Sequence, residues 1–234
     1  MNSLSSLLSF ESYASSPFLP ASAYIAVSDT LASSGSFIPI SLARTALLNA
    51  ARGSSSIGTG CPSTSTSANE SAVAVVWVGC CGSGEVHWKT LLRKAVSLSI
   101  SNAHPSQRCI DAADFLFTAD EAGLKELLGA VQSALGSNAA QTIDTRRAVP
   151  ARALVVVDDL STLSWSISGG TEETADQLSR WIRALRIVVE QNNAALCTLQ
   201  HASATSLYAD VNAQDATDES LLRHLLTSTE PDVL

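Results

Sequence analysis

The sequence predicts one α/β domain of three layers, with helices on both faces of a mostly parallel central sheet. Unbroken apolar runs occur at 73–78, 153–157 and 194–199. Runs of this kind are typical of strands that are covered on both sides, as in parallel sheets. Residue patterns with helical spacing occur at 88–100, 119–135 and 174–192. This alternation of strand and helix predicts a three-layer fold with right-handed crossovers.

Composition sets the class of protein that the chain can be. Its 234 residues, of which 46% are hydrophobic and 15% are charged, suit a single domain spanning 1–234. The net charge of −8 means that the surface as a whole should repel nucleic acid. Any contact with nucleic acid therefore needs a local basic patch or a partner protein. The N-terminal stretch has no basic residue before Arg44, and no apolar run reaches the ~20 residues that span a bilayer. We therefore expect a cytoplasmic protein without membrane contact, with nuclear localisation left open.

The first third of the chain supplies one more strand, one more helix and an insertion. The apolar run 24–27 predicts the strand, and helical spacing from near Phe37 predicts the helix, with Pro39 in its first turn. The segment 53–72 has ten Ser or Thr in twenty residues and is predicted to be a flexible surface insertion. The run DFLF at 114–117 is a further, weaker candidate strand.

Cysteine and histidine give no metal or disulfide pattern. The chain has five cysteines, an odd number, with no CxxC pair, and its four histidines lie apart from one another. We expect Cys80, Cys81 and Cys197 to be small buried side chains, and we expect no cofactor and no metal. His201 follows the strand at 194–199 without a nucleophile motif beside it, so it is interpreted as a loop residue.

The stretch SDTLASSGSFIPISL (28–42) has the layout of a phosphate-binding loop between a strand and a helix. Such a loop reads GxxxxGK followed by Ser or Thr, where the glycines let the backbone approach the phosphates and the lysine holds them. With Gly35 as the second glycine, Ser36 stands at the lysine position and Phe37 at the hydroxyl position. Spacing alone favours a plain turn over a degenerate phosphate loop, and the three possibilities of active site, degenerate site and turn remain open at this point.

The run ALVVVDDLSTL (153–163) is an apolar strand that ends in Asp158 and Asp159. This is the form of a Walker B element, whose carboxylate lies beside the phosphate loop. Two aspartates can equally well solvate the end of a strand, and this motif by itself does not decide between the two. Both motifs in this chain order favour descent from a nucleotide-binding fold.

The helix at 174–191 combines an apolar stripe with aligned arginines. Leu178, Trp181, Ile182, Leu185, Val188 and Val189 share one side at ~100° per residue. Candidate contacts to a partner or to RNA lie on the other side of this helix and before the strand at 153–157, at Arg180, Arg183, Arg186, Arg146 and Arg147. The plainer interpretation, favoured here, is a solvated face paired locally with residues such as Asp176 and Glu190.

Four segments, in this order, resemble the sixth-subunit family of the Elongator complex. They are SGSFIPISLARTALL (34–48), HWKTLLRKAVSLS (87–99), LVVVDDLSTLSWS (154–166) and DESLLRHLL (218–226). The resemblance implies a RecA-like fold, similar to P-loop NTPases, with a degenerate phosphate loop. It implies a hetero-hexameric ring with Elongator subunits four and five, two copies of each. That ring binds and releases tRNA for the Elongator catalytic core, which modifies wobble uridine.

Two features differ from what the family implies, and the sequence leaves other functions open. The insertion at 53–72 is longer than expected, and relatives continue into further β-structure where this sequence ends, so either the C-terminus is truncated or the sheet has fewer strands. On this resemblance the chain is a pseudo-ATPase and a scaffold subunit, not an enzyme. The alternatives are a RecA-type ATPase that holds nucleotide through Asp158, Asp159 and the backbone around Gly35, and a RecA-like recombination accessory.

Overall fold

The computed structural model describes residues 19–29, 34–55, 73–96, 107–116, 121–136, 151–167 and 171–201. The strands are β1 (Tyr24–Asp29), β2 (Val75–Gly79), β3 (Gln107–Asp111), β4 (Leu154–Val157) and β5 (Ala195–His201). The helices are α1 (Phe37–Ser55), α2 (Glu85–Val96), α3 (Glu121–Leu135), α4 (Leu160–Ser166) and α5 (Thr171–Gln191). A single 3₁₀ turn, Ala112–Asp114, follows β3.

The five strands form one sheet in the order β1-β5-β4-β2-β3, and every neighbouring pair is parallel. The expected α/β class with a parallel sheet is therefore confirmed. All four residues of β4 and all five of β2 are buried, because both faces of these strands are covered. The carboxyl ends of all five strands lie along one edge of the sheet, which we call the carboxyl edge.

Side-chain alternation along the strands divides the core into two layers. Val76, Val155 and Leu196 pack with α3, α4 and α5 on one face. Trp77, Val156 and Cys197 pack with α1 and α2 on the other face. Successive side chains of a strand point to opposite faces of the sheet, so a continuous apolar run contributes side chains to both layers.

The apolar stripe predicted for α5 is confirmed. Its six members are buried against the sheet and α3, and Trp181 donates its indole N–H to the carbonyl of Leu124 at 2.9 Å. That bond satisfies the one polar atom of a large buried side chain.

Several local expectations were wrong. The described part of DFLF, residues 114–116, is not a strand. A 3₁₀ turn ends there at Asp114, and the strand is Gln107–Asp111, which carries few apolar residues because it lies at the sheet edge. Helix α1 continues through residues 53–55, which were assigned to the insertion, and 56–72 lie outside the described residues. Cys81 is exposed, whereas Cys80 and Cys197 are buried as expected.

Gly79, the last residue of β2, is required by the packing of two tryptophans. The rings of Trp77 and Trp88 stack with centroids 5.1 Å apart, and a Cβ on Gly79 would lie 2.3 Å from Nε1 of Trp88. No real Cβ contact is this close, so the stacked indole would have to move. Only glycine fits at this point of the core.

Substitution Gly79→Ala is expected to destabilise the protein by about 1–3 kcal/mol, the usual cost of overpacking a dense core. Chemical denaturation at neutral pH measures this change. The matched control is Gly129→Ala in α3, where an added Cβ meets nothing within 4 Å. That control should stabilise the protein by about 0.5–1 kcal/mol, because alanine loses less backbone entropy in a helix. Equal effects of the two substitutions would contradict the packing argument.

Candidate functional site

Buried acidic groups collect at the carboxyl edge. Asp29 ends β1, Asp111 ends β3, and Asp158 and Asp159 follow β4; all four are buried. An ionised carboxylate that leaves water must be paired or hydrogen-bonded, since desolvation alone would neutralise it. The donors that each aspartate finds therefore decide what this edge can bind.

One imidazole, that of His201, contacts the aspartates at the ends of β1 and β4. His201 ends β5, which lies between β1 and β4, and it is the register partner of Asp29. Its Nδ1 contacts Oδ1 of Asp29, and its Nε2 lies 3.3 Å from Oδ2 of Asp159. We call Asp29, His201 and Asp159 the histidine clasp. His201 had been interpreted as a loop residue; the structure corrects this, because β5 continues to residue 201 and directs the ring between two carboxylates.

The two carboxylates favour the charged form of His201. Partial burial of the ring lowers its pKa, but the hydrogen bond to Asp29 and the charge of Asp159 outweigh burial, so the pKa of His201 is raised above its ordinary 6.5. The clasp therefore favours an imidazolium between two carboxylates at this edge.

Asp29 also binds the backbone of the loop that resembles a phosphate loop. The N–H of Gly35 donates to Oδ2 of Asp29 at 2.7 Å. A Cβ on Gly35 would lie 3.0 Å from both Asp29 Cβ and Val27 Cγ1, so glycine is what lets the backbone come this close to β1. In a working phosphate loop such N–H groups bind phosphate oxygens. Here the N–H is donated to a carboxylate of the same chain.

The two neighbouring positions of that loop face solvent. Ser36 hydrogen-bonds through its hydroxyl to the hydroxyl of Ser34 at 2.9 Å. Phe37 is 58% exposed at the start of α1. The structure therefore brings Gly35 to the buried carboxylates and leaves Ser36 and Phe37 outside them.

Asp158 is directed away from the loop after β1. Its Oδ1 accepts the N–H of Cys80 at 2.7 Å, and its Oδ2 accepts the indole N–H of Trp77 at 3.2 Å. The side chain thus bridges the crevice between β4 and β2, where the connections leave to opposite faces of the sheet. Burial raises the pKa of Asp158 to about 6, although both hydrogen bonds lower it.

Asp159 has a different set of donors. It caps α4 by accepting the N–H of Thr162 at 2.9 Å and the hydroxyl of Thr162 at 2.7 Å. The thiol of Cys81 lies 3.8 Å from the oxygen that also contacts His201. Burial and the charges of Asp158 and Asp159 raise the pKa of Cys81 to about 11, so this exposed cysteine is a neutral thiol near pH 7 and a poor nucleophile.

Each of the aligned arginines of α5 contacts a side chain of the same chain. Arg180 pairs with Asp176 at 2.9 Å, as the plainer interpretation of this face expects. Arg183 donates to the hydroxyl of Ser179 at 3.1 Å, and the guanidinium of Arg186 lies over the ring of Tyr24 at 5.2 Å from its centroid. The other two candidates, Arg146 and Arg147, lie outside the described residues.

Sequence reasoning found Gly35, Asp158 and Asp159 and missed Asp29 and His201. A signal for Asp29 was present, because it follows an apolar strand in the same way as Asp158. No sequence spacing brings Asp29 and His201 together, since they are 172 residues apart. Their meeting depends on the position of β5 beside β1.

Comparison of the sequence with models of known protein families and with curated proteins finds no match. Within the described segments, no group of three or more His, Cys, Asp or Glu is placed to hold a metal ion. None of the helices described above is long and apolar enough to cross a membrane.

Substitution His201→Asn is expected to destabilise the protein at acidic and neutral pH by about 1 kcal/mol, since partial exposure weakens bonds that are usually worth about 1.5–3 kcal/mol between charged groups. Because the folded pKa of His201 lies above its unfolded value, its contribution is complete below pH 6.5 and is lost as the pH rises through the folded pKa. Chemical denaturation from pH 5.5 to 9 should therefore show the difference between wild type and variant shrinking with pH. The control His87→Asn removes an exposed histidine of α2 and measures what loss of an imidazole outside the clasp does.

Substitution Asp158→Asn is expected to flatten the stability profile at lower pH. The folded pKa of about 6 exceeds the ordinary value of 3.8, so the folded state holds more protons between these values and wild type loses stability as the pH rises through this window. The loss amounts to roughly 3 kcal/mol at about 1.4 kcal/mol per pKa unit. Denaturation from pH 4 to 6.5 measures it. A wild-type minus variant difference that stays constant across the window would contradict the buried-carboxylate assignment.

Proposed function

We propose that this chain is a non-catalytic, RecA-like scaffold subunit of the Elongator accessory ring, where it supports binding and release of tRNA during wobble-uridine modification. Its partners are Elongator subunits four and five in a hetero-hexamer with two copies of each, acting with the Elongator catalytic core in the cytoplasm, with nuclear localisation left open. The proposal combines the family resemblance of four ordered segments with the chemistry of the carboxyl edge.

The observation that carries the pseudo-ATPase part is the bond between Gly35 and Asp29. A triphosphate needs free backbone N–H groups and a cation at the loop. The N–H of Gly35 is instead donated to a buried carboxylate, and Ser36 stands where the lysine would be. An incoming phosphate would have to displace Asp29 and would meet its negative charge.

The remaining charges of the edge also argue against nucleotide binding. The imidazole of His201 is held between Asp29 and Asp159, so its positive charge is already compensated. Asp158 is bonded to Cys80 and Trp77, on the side of β2. The alternative of an ATPase that holds nucleotide through Asp158, Asp159 and the backbone of Gly35 would require all three groups to exchange their present partners.

Exposed apolar side chains support a role in assembly. Phe37 is 58%, Val86 is 76% and Trp165 is 50% exposed. Each lies on a helix, α1, α2 or α4, that leaves the carboxyl edge after β1, β2 or β4. Exposed apolar side chains of this size gain burial when a partner chain covers them.

The assembled ring, not this chain alone, is the expected RNA-binding unit. The chain carries a net charge of −8, which repels a polyanion at long range. The arginines of α5 have local partners, so RNA contact through them would require exchange of those partners.

Co-expression with Elongator subunits four and five of the same organism is expected to yield one complex with two copies of each chain, measured by size-exclusion chromatography with light scattering. The physical reason is that the exposed apolar groups near the carboxyl edge gain burial only in an assembly. Phe37→Ser is expected to reduce recovery of the complex several-fold. The matched control Ile187→Ser, an equally exposed position on the outer face of α5, should reduce it less.

A stable monomer that ignores both subunits would contradict the scaffold assignment. Calorimetry of the isolated chain with ATP and Mg²⁺ tests the pseudo-ATPase part separately, and we expect no measurable heat of binding. Micromolar binding would instead favour the RecA-type ATPase. Preferential binding of single-stranded DNA over tRNA by the assembled ring would favour the recombination accessory.

A further inference from the structure

The ring of His201 faces an acceptor at each of its two nitrogens. Nδ1 contacts a carboxylate oxygen of Asp29, and Nε2 lies 3.3 Å from a carboxylate oxygen of Asp159. Ionised carboxylates accept hydrogen bonds and do not donate them, and a neutral imidazole has only one N–H. Only the imidazolium, with two N–H groups, satisfies both contacts at once.

We propose that the histidine clasp is a proton-operated switch, closed across β1, β5 and α4 by the imidazolium and opened at Asp159 when the ring loses its proton. The inference does not depend on the proposed function, since it uses only the contacts at the carboxyl edge. In this proposal the protonation of His201 controls its contact with Asp159.

The other contacts of Asp29 and Asp159 indicate which of the two ring contacts is lost on deprotonation. Asp29 and His201 are register partners on neighbouring strands, so the ring stays beside Asp29 in either protonation state. Asp159 keeps two donors from Thr162 after it loses the ring. A ring nitrogen without its proton would face Asp159 as one acceptor facing another, and this contact has no attraction to preserve it.

The two carboxyl groups that contact the ring both favour its charged form. Asp29 from β1 and Asp159 from the start of α4 both favour the charged ring. Cys81, from the segment between β2 and α2, contacts Asp159 but stays a neutral thiol because its pKa is about 11. Asp158 is held on the side of Cys80 and Trp77. The backbone N–H of His201 donates to the hydroxyl of Ser161 at 3.0 Å, so the end of β5 remains attached to α4 while the ring moves.

Asp111 provides an internal comparison for Asp29 and Asp159, because it binds backbone N–H groups in the same way but is not part of the histidine clasp. Asp29 accepts the N–H of Gly35 at 2.7 Å, and Asp159 caps α4 through the N–H of Thr162 at 2.9 Å. Asp111 does both tasks at the other edge strand, accepting the N–H of Gly84 at 2.8 Å and that of Ala113 at 3.0 Å. Asp111 belongs to β3, on the opposite side of the sheet from β1. The amide signals of Gly84 and Ala113, which donate to Asp111, therefore show how pH affects the carboxyl edge where His201 makes no contact.

Proton NMR of the full chain from pH 5.5 to 9 tests the switch. The chain has four histidines, and the signal that disappears in His201→Asn identifies the ring. Its titration midpoint should lie above 6.5, the ordinary value. Asp159→Asn should lower that midpoint by about 0.5–1 unit, because a partly exposed ring loses one opposite charge while Asn still caps the helix. The control Asp111→Asn removes the same charge elsewhere on the edge and should shift it by less than half as much.

The chemical shifts of backbone amides supply a second measurement. Signals of Gly35 and Thr162 should move with the same midpoint as His201, while those of Gly84 and Ala113 should not follow it. A midpoint at or below 6.5, an equal response to Asp159→Asn and Asp111→Asn, or amides of Gly35 and Thr162 that stay constant across the titration would each overturn the proposal. The amide titrations of Gly35 and Thr162 need only the wild-type protein, so they decide the third outcome even where a variant fails to fold.

Discussion

Buried carboxylates at the ends of parallel strands are the constraint on which the described structure depends. A parallel sheet that is covered on both faces brings the carboxyl ends of its strands to one edge. In this chain aspartates stand at three of those ends and are buried there. Each of them must find donors, and they find the N–H groups of Gly35, Cys80, Gly84 and Thr162 together with the ring of His201. Loops and helices that follow the strands are positioned by these bonds.

The same bonds decide which chemistry the edge supports. A phosphate loop works because its N–H groups and its lysine are free to receive an anion. Here the chain itself supplies the anion, through Asp29, and the ring of His201 contacts two carboxylates. In the described part of this edge, the donors that bind the chain's own acids hold strands and helices together. The proposed scaffold role and the proposed proton switch both arise from this property.

Exposed apolar groups and the switch concern different parts of the same edge. Phe37, Val86 and Trp165 lie on the helices that leave it, where a partner chain can cover them. His201 lies inside it, on β5, between two other strands. A change in the protonation of His201 alters the charge of the edge by one unit and releases one contact to α4. A partner that docks on α4 would therefore experience the protonation state without touching the ring.

The amino-acid sequence by itself determined the α/β class, both buried layers of the sheet and the apolar stripe of α5, because hydrophobic period and run length depend only on local order. It also indicated Gly35, Asp158 and Asp159 through short motifs. It did not indicate β3, since an edge strand with few apolar residues has a weak pattern. Only the tertiary structure decided that His201 stands between Asp29 and Asp159. That contact joins residues far apart in the chain, and it exists because strand order places β5 between β1 and β4.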